Sequence, residues 1–187
     1  MDDKEEKAVE QLMKQLTWWS GGGMLVAMLW NLVYPQQFIL AVEVTLLVTF
    51  YQLAMRLAVG NWLEPRLKLN PAGAWFAVRP GERRLYQLLR VKKWKKLLPT
   101  YSPAKYTVQR RSLPELLVTM VSAEVDHELM FTLSYLPLLL IIPFGEPAIF
   151  IVSSVLASLV EVPFIIPQRY NRARLVRLLH RQKAKDC

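Results

Sequence analysis

The chain has 187 residues, 53% of them hydrophobic and 21% charged, with 24 Lys and Arg against 15 Asp and Glu. Its single Cys excludes a disulfide framework, and its long apolar runs exclude a disordered chain. The same runs argue against a soluble nucleic-acid binder, the ordinary reading of a pI of 9.8, because a basic patch has no use for them.

Charge is segregated along the chain: 18–35 and 129–145 carry none, whereas most Lys and Arg fall in 61–129 and 169–185. Mean hydropathy is +0.19. Four stretches predict membrane helices, namely Trp18–Pro35, Phe38–Val59, Leu129–Phe144 and Pro147–Pro167. A helix needs roughly 20 apolar residues to cross a hydrocarbon core. The third is short and carries Pro137 and Pro143, so it is expected to tilt, kink or enter partway. Four buried helices of a soluble α-protein are the alternative, disfavoured by span length and charge segregation. The first span opens on Trp18 and Trp19 and ends near Tyr34, an aromatic placement suited to two interfaces. Gly21, Gly22 and Gly23 within it allow close helix contact. An acidic flank and the lack of a small-residue cleavage site argue against a cleaved signal peptide.

The fold class expected is therefore an all-α integral membrane protein of about four transmembrane helices with interfacial amphipathic helices. The turns at Gln36–Gln37 and Gly145–Glu146 hold no Lys or Arg, so both termini and the long basic segment are expected in the cytoplasm of a bacterial cell. Residues 1–60 read as a tail with a two-helix anchor, and 61–187 as a basic segment with two further helices and a basic tail, together one structural unit. Anionic headgroups of the bilayer are the expected partner of the positive charge, and nucleic acid is not. Oligomeric state is left open.

Within the basic segment, the Pro and Gly residues of 61–81 predict an irregular connector. Glu82–Leu98 then predicts one interfacial amphipathic helix, stopped by Pro99. Ser112-Leu-Pro-Glu115 fits a capping box that opens the next helix. Helical spacing places Leu113, Leu117, Met120, Glu124, His127 and Phe131 on one face. Glu124 and His127 interrupt an apolar stripe one turn apart, and each is the natural partner of the other. A carboxylate beside a histidine orients the ring for proton transfer or makes a structural pair, and a His at the lipid interface is the other reading. Metal is the weaker reading, because HExxH fails at Phe131 and the chain has two His and one Cys.

At the end of the fourth span, Glu161 sits among apolar residues and is expected to face other helices. Arg169, Tyr170, Asn171, Arg172 and Arg174 follow at headgroup level, where exposed Arg forks bind phosphate or carboxylate. A stop-transfer anchor would need the cations but not the embedded Tyr-Asn.

Three segments in order, RVKKWKKLLP from Arg90, AEVDH from Ala123 and VPFIIPQRYNRARLVRLL from Val162, give a family resemblance. Over roughly 85–180 the chain resembles the bacterial glycosyl-4,4'-diaponeurosporenoate acyltransferases, which esterify a fatty acid onto the sugar of a glycosylated carotenoid acid. Trp94 and Lys95 match the family's Trp-Lys pair, Glu124 and His127 its Ala-Glu-x-x-His, and Gln168, Arg169, Tyr170, Asn171, Arg172 and Arg174 its tail motif. Asp126 and Glu128 depart from it, as do two full N-terminal spans.

The resemblance implies a membrane acyltransferase acting on a sugar hydroxyl of a glycosylated lipid or carotenoid, with an acyl donor and a lipid-linked glycoside as partners; no cofactor is expected. Such a reaction needs a base and donors for the developing oxyanion. His127 is the expected base and Glu124 its orienter. Trp94, Lys95 and the Gln168–Arg174 run are expected to bind substrate, including the phosphates of a thioester donor. No GxSxG elbow is present, which favours direct transfer over a Ser intermediate. A non-catalytic lipid-binding protein or subunit of a lipid-synthesis complex, or a transferase acting on a polyprenyl substrate, uses the same basic helices.

Overall fold

The computed structural model describes residues 3–67, 69–71, 73–95, 97–98 and 112–186, and the side chains of these except 3–6, 183, 185 and 186. Seven α-helices carry the described chain: α1 Asp3–Val33, α2 Gln37–Ala58, α3 Glu82–Leu88, α4 Val91–Trp94, α5 Leu113–Leu133, α6 Ile141–Phe144 and α7 Pro147–Asp186. No strand occurs among the described residues. The protein is all-α, as its sequence predicts.

Three helical stretches are long and apolar enough to cross a membrane: Gln37–Arg66, Leu113–Phe144 and Pro147–Gln182. They correspond to three of the four expected spans. The third gains length because α5 starts well upstream of Leu129, giving a stretch of 32 residues. Residues 18–33 are helical within α1, but Trp18, Trp19, the three glycines and Asn31 dilute the apolar content there.

Contacts divide the chain into two units. Lys7–Pro65 with Leu129–Val160 makes an apolar unit, and Arg66–Glu128 with Glu161–Cys187 and Met1–Glu6 makes a polar one. Each draws on segments distant in sequence, so the units do not follow the chain's halves.

The apolar unit centres on Val44, Val48 and Phe150, with Leu40, Leu138, Ile141 and Phe144 packed around them. Gly21 and Gly23 of α1 lie against α2. A Cβ at Gly21 would stand 3.0 Å from the Phe50 ring, and one at Gly23 would stand 3.3 Å from Leu46. Small residues thus permit the close approach that their spacing suggests. Helix α5 ends at Leu133, and carbonyls released at a helix end need partners where water is absent. Tyr51 Oη donates to Leu133 O at 2.9 Å and Gln52 Nε2 to Ser134 O at 3.1 Å. The guanidinium of Arg56 donates to Gln52 O at 3.0 Å and Ala157 O at 3.3 Å. A 3-10 turn, Leu136–Leu140, then carries Pro137 near its start.

In the polar unit the single helix expected over Glu82–Leu98 is broken. Arg90 adopts a left-handed conformation (φ 49°) between α3 and α4. Five residues advance a helix by roughly 140° around its axis, so an unbroken helix would point Tyr86 and Val91 to different sides. The break lets both be buried. Pro99, the expected stop, lies outside the described residues. The capping box at α5 forms its reciprocal half, with Ser112 N–H donating to Glu115 Oε2 at 2.8 Å. Helix α7 runs unbroken through Pro163 and Pro167 for 40 residues, where the sequence suggests a span followed by a separate tail. The consequence is that Glu161, Arg169 and Arg172 share one continuous helix.

Candidate functional site

Helices α5 and α7 bring the ionisable side chains of the polar unit together. His127 meets Glu161 while Glu124 meets Arg169 and Arg172, so the pairs step in opposite directions along the two helices.

The pairing differs from the one that helical spacing suggests. His127 does not bond Glu124. Its Nδ1 lies 2.8 Å from Oε2 of Glu161, whose side chain is 3% exposed, while the His127 side chain is 24% exposed. The ring stacks on Phe164 at 5.0 Å between centroids and 12° between planes. A carboxylate on Nδ1 fixes the tautomer that leaves Nε2 able to accept a proton. Residues one turn apart on a helix can touch, but here the facing helix offers a better-aligned carboxylate.

Glu124 instead belongs to a buried ion cluster. Arg172 Nε donates to its Oε2 at 2.6 Å and Arg172 Nη2 to its Oε1 at 3.2 Å, a bidentate fork. Arg172 Nη1 donates to the carbonyl of Phe76, and the guanidinium lies 5.6 Å from that residue's ring centroid. Both Arg172 and Glu124 are 0% exposed. The sequence anticipates Arg172 as an exposed substrate contact; burial makes it an internal tie. Arg169 is shared among three carboxylates, with Nε 3.2 Å from Glu124, Nη1 3.6 Å from Glu128 and Nη2 3.7 Å from Glu82. Trp75 Nε1 donates to Glu128 at 2.8 Å, which brings the connector onto α5.

The other expected residues lie around this cluster. Lys95 Nζ donates to Asn171 Oδ1 and stands 4.6 Å over the Tyr170 ring. Tyr170 packs edge-on against Tyr86 at 5.6 Å and 88°. Trp94 Nε1 donates to Leu89 O at 2.8 Å, closing the break between α3 and α4. Gln168 is half-buried, its Oε1 without a hydrogen-bond partner among the described residues. Arg174 is exposed. Burial, then the charge and hydrogen bond of Glu82, push the Tyr86 phenol well above its ordinary value of 10.0.

A cleft of about 630 Å³ opens in the same unit where α3 and α4 face α7. Of the residues picked from sequence, only Tyr170 lines it. Most of its cations, including Arg83, Lys92 and Lys93, come from the helix taken to rest on the membrane surface.

Residues 72–181 match the model of a family described as glycosyl-4,4'-diaponeurosporenoate acyltransferase. The chain belongs to this family. The match covers more than half the chain and takes in α3, α4, α5 and most of α7, hence the ion cluster, the His127–Glu161 pair and the cleft. No curated protein and no solved structure matches the chain. Membership in the glycosyl-4,4'-diaponeurosporenoate acyltransferases implies acyl transfer in carotenoid biosynthesis, with an acyl donor and a glycolipid acceptor. Three of its helical stretches have the length and apolar composition that a membrane crossing needs.

Proposed function

We propose that this chain is a multi-pass acyltransferase of the bacterial cell membrane that esterifies a fatty acyl group onto a sugar hydroxyl of a glycosylated lipid or carotenoid. The observation that carries the reading is the His127–Glu161 pair at 2.8 Å, inside the segment that matches the family. His127 Nε2 takes the proton of the sugar hydroxyl as its oxygen attacks the donor's acyl carbon. The bond to the leaving group then breaks, and that group collects the proton from the imidazolium. Glu161 holds the ring and stabilises the imidazolium, as carboxylates do in hydrolase triads. Glu124, Arg169 and Arg172 keep α5 and α7 in register, so they position His127 without touching substrate.

Comparison of lipid extracts by mass spectrometry tests the activity. Deleting the gene is expected to remove an acylated glycolipid and to accumulate the same species lighter by one fatty acyl group. An unchanged extract would count against acyl transfer and favour a non-catalytic lipid-binding protein.

Orientation is argued from the Lys and Arg distribution, which favours the cytoplasmic side for the basic helices and the C-terminus; with α1 crossing as a fourth span, the N-terminus shares that side. In intact cells an impermeant maleimide is expected to label Gln36→Cys in a chain lacking Cys187. The natural Cys187, which lies outside the described residues, should react only after permeabilisation. The reverse pattern would overturn the orientation.

A further inference from the structure

Arg83, Arg90, Lys92, Lys93 and Arg177 converge on the cleft of about 630 Å³, and no Asp or Glu lines it among the described residues. None of these five pairs with a carboxylate among the described residues. The acids of the unit are committed elsewhere, with Glu82, Glu124 and Glu128 all within reach of Arg169. The Arg177 Nε donates to Ala173 O at 3.1 Å, which fixes the guanidinium at the cleft. Cations gathered in a concavity repel one another and focus a field that attracts a polyanion.

The rest of the lining narrows the ligand. Val78, Ala173 and Val176 supply an apolar surface, and Tyr86 and Tyr170 an aromatic wall. A volume of this size lies in the range of small-molecule sites, roughly 300–1,000 Å³. One lipid phosphate would leave most of the charge unanswered and has no flat group for the tyrosines. Several phosphates joined to a ring system use the whole lining.

We propose that this cleft binds the nucleotide polyphosphate of a coenzyme A thioester, the acyl donor. Resting on the acyl-transfer reading, it moves the donor from Lys95 and the Arg169–Arg174 run to a cleft whose cations come mainly from α3, α4 and the turn between them. Arg forks and Lys ammonium groups hold the phosphates, and the ring lies along the tyrosine wall. The sugar oxygen forms its bond to the thioester carbonyl carbon, the C–S bond breaks, and the thiolate takes the proton that left the sugar.

The full chain in nanodiscs of zwitterionic lipid, titrated calorimetrically with coenzyme A and with pantetheine, tests this. Coenzyme A is expected to bind and pantetheine, which lacks the phosphates, not to. Arg83→Gln/Lys93→Gln removes two charge-assisted contacts and should weaken binding about tenfold or more. Both side chains are exposed, so the fold should be kept, and gel filtration checks it. His127→Gln should bind coenzyme A as the wild type does. Absence of binding, or binding indifferent to the double variant, overturns the assignment. So does retention of phosphatidylglycerol or an acidic acyl carrier protein in place of coenzyme A. If coenzyme A binds through these cations but its thioesters acylate no glycolipid, acyl transfer fails and the cleft stands. If they do acylate one, with KM unchanged in the double variant, the cleft fails and acyl transfer stands.

Discussion

Arg172→Ala will destabilise the protein by about 3–5 kcal/mol, the range for breaking a buried ion pair by removing one partner. Arg172 and Glu124 are each 0% exposed and joined by two hydrogen bonds of 2.6 and 3.2 Å. Removing the guanidinium strips the fork from a buried carboxylate and also frees the Phe76 carbonyl. Arg169 remains 3.2 Å from Glu124 and moderates the loss. In detergent the melting temperature should fall by roughly 10 °C. Arg174→Ala, at an exposed position of the same helix, should change stability by less than about 0.5 kcal/mol. Replacing both partners, Glu124→Leu with Arg172→Met, should cost less than the sum of the single changes, because no buried charge is left behind. Equal melting temperatures for Arg172→Ala and wild type would show that the fork contributes nothing to the fold.

The contrast between Arg172 and Arg174 marks how far the sequence could be read. Helical content, three of the spans and the capping box at Ser112–Glu115 follow from local pattern, because periodicity and caps act over a few residues. The break at Arg90 was hidden, since it depends on burying Tyr86 and Val91 together against the rest of the unit. The passage of α7 through Pro163 and Pro167 was hidden too. Proline disfavours helix locally, and only the surrounding packing decides that the helix continues. The site shows the same division. Glu124 and His127 were visible as polar groups on an apolar stripe, and Glu161 as an acid in an apolar run. Their partners were not visible, because each bond spans 34 residues or more, and spacing along one helix says nothing about which facing side chain wins. The cleft cations read as a membrane-surface helix for the same reason: only the turn at Arg90 folds them around a concavity.

His127 is where the largest loss of activity is expected. His127→Ala and His127→Gln should each lower kcat about 10²- to 10⁴-fold, the usual contribution of a general base. The glutamine variant matters more, because its amide N–H can still donate to Glu161 and preserve packing on Phe164 while offering no basic nitrogen. Glu161→Gln should be milder. An amide still accepts the Nδ1 proton but carries no charge to stabilise the imidazolium, and in its other orientation it donates and favours the wrong tautomer. The drop should fall on kcat with KM near the wild-type value, since neither side chain belongs to the cleft. Glu124→Gln should behave differently again: it weakens the fork to Arg172, so melting temperature falls and activity follows stability. This ordering separates a base held by Glu161 from the pairing that helical spacing suggests. Had Glu124 been the orienter, Glu124→Gln would reduce kcat in a well-folded protein and Glu161→Gln would not. Near-normal turnover by purified His127→Gln would remove His127 from the chemistry and leave the pair as a structural contact between α5 and α7.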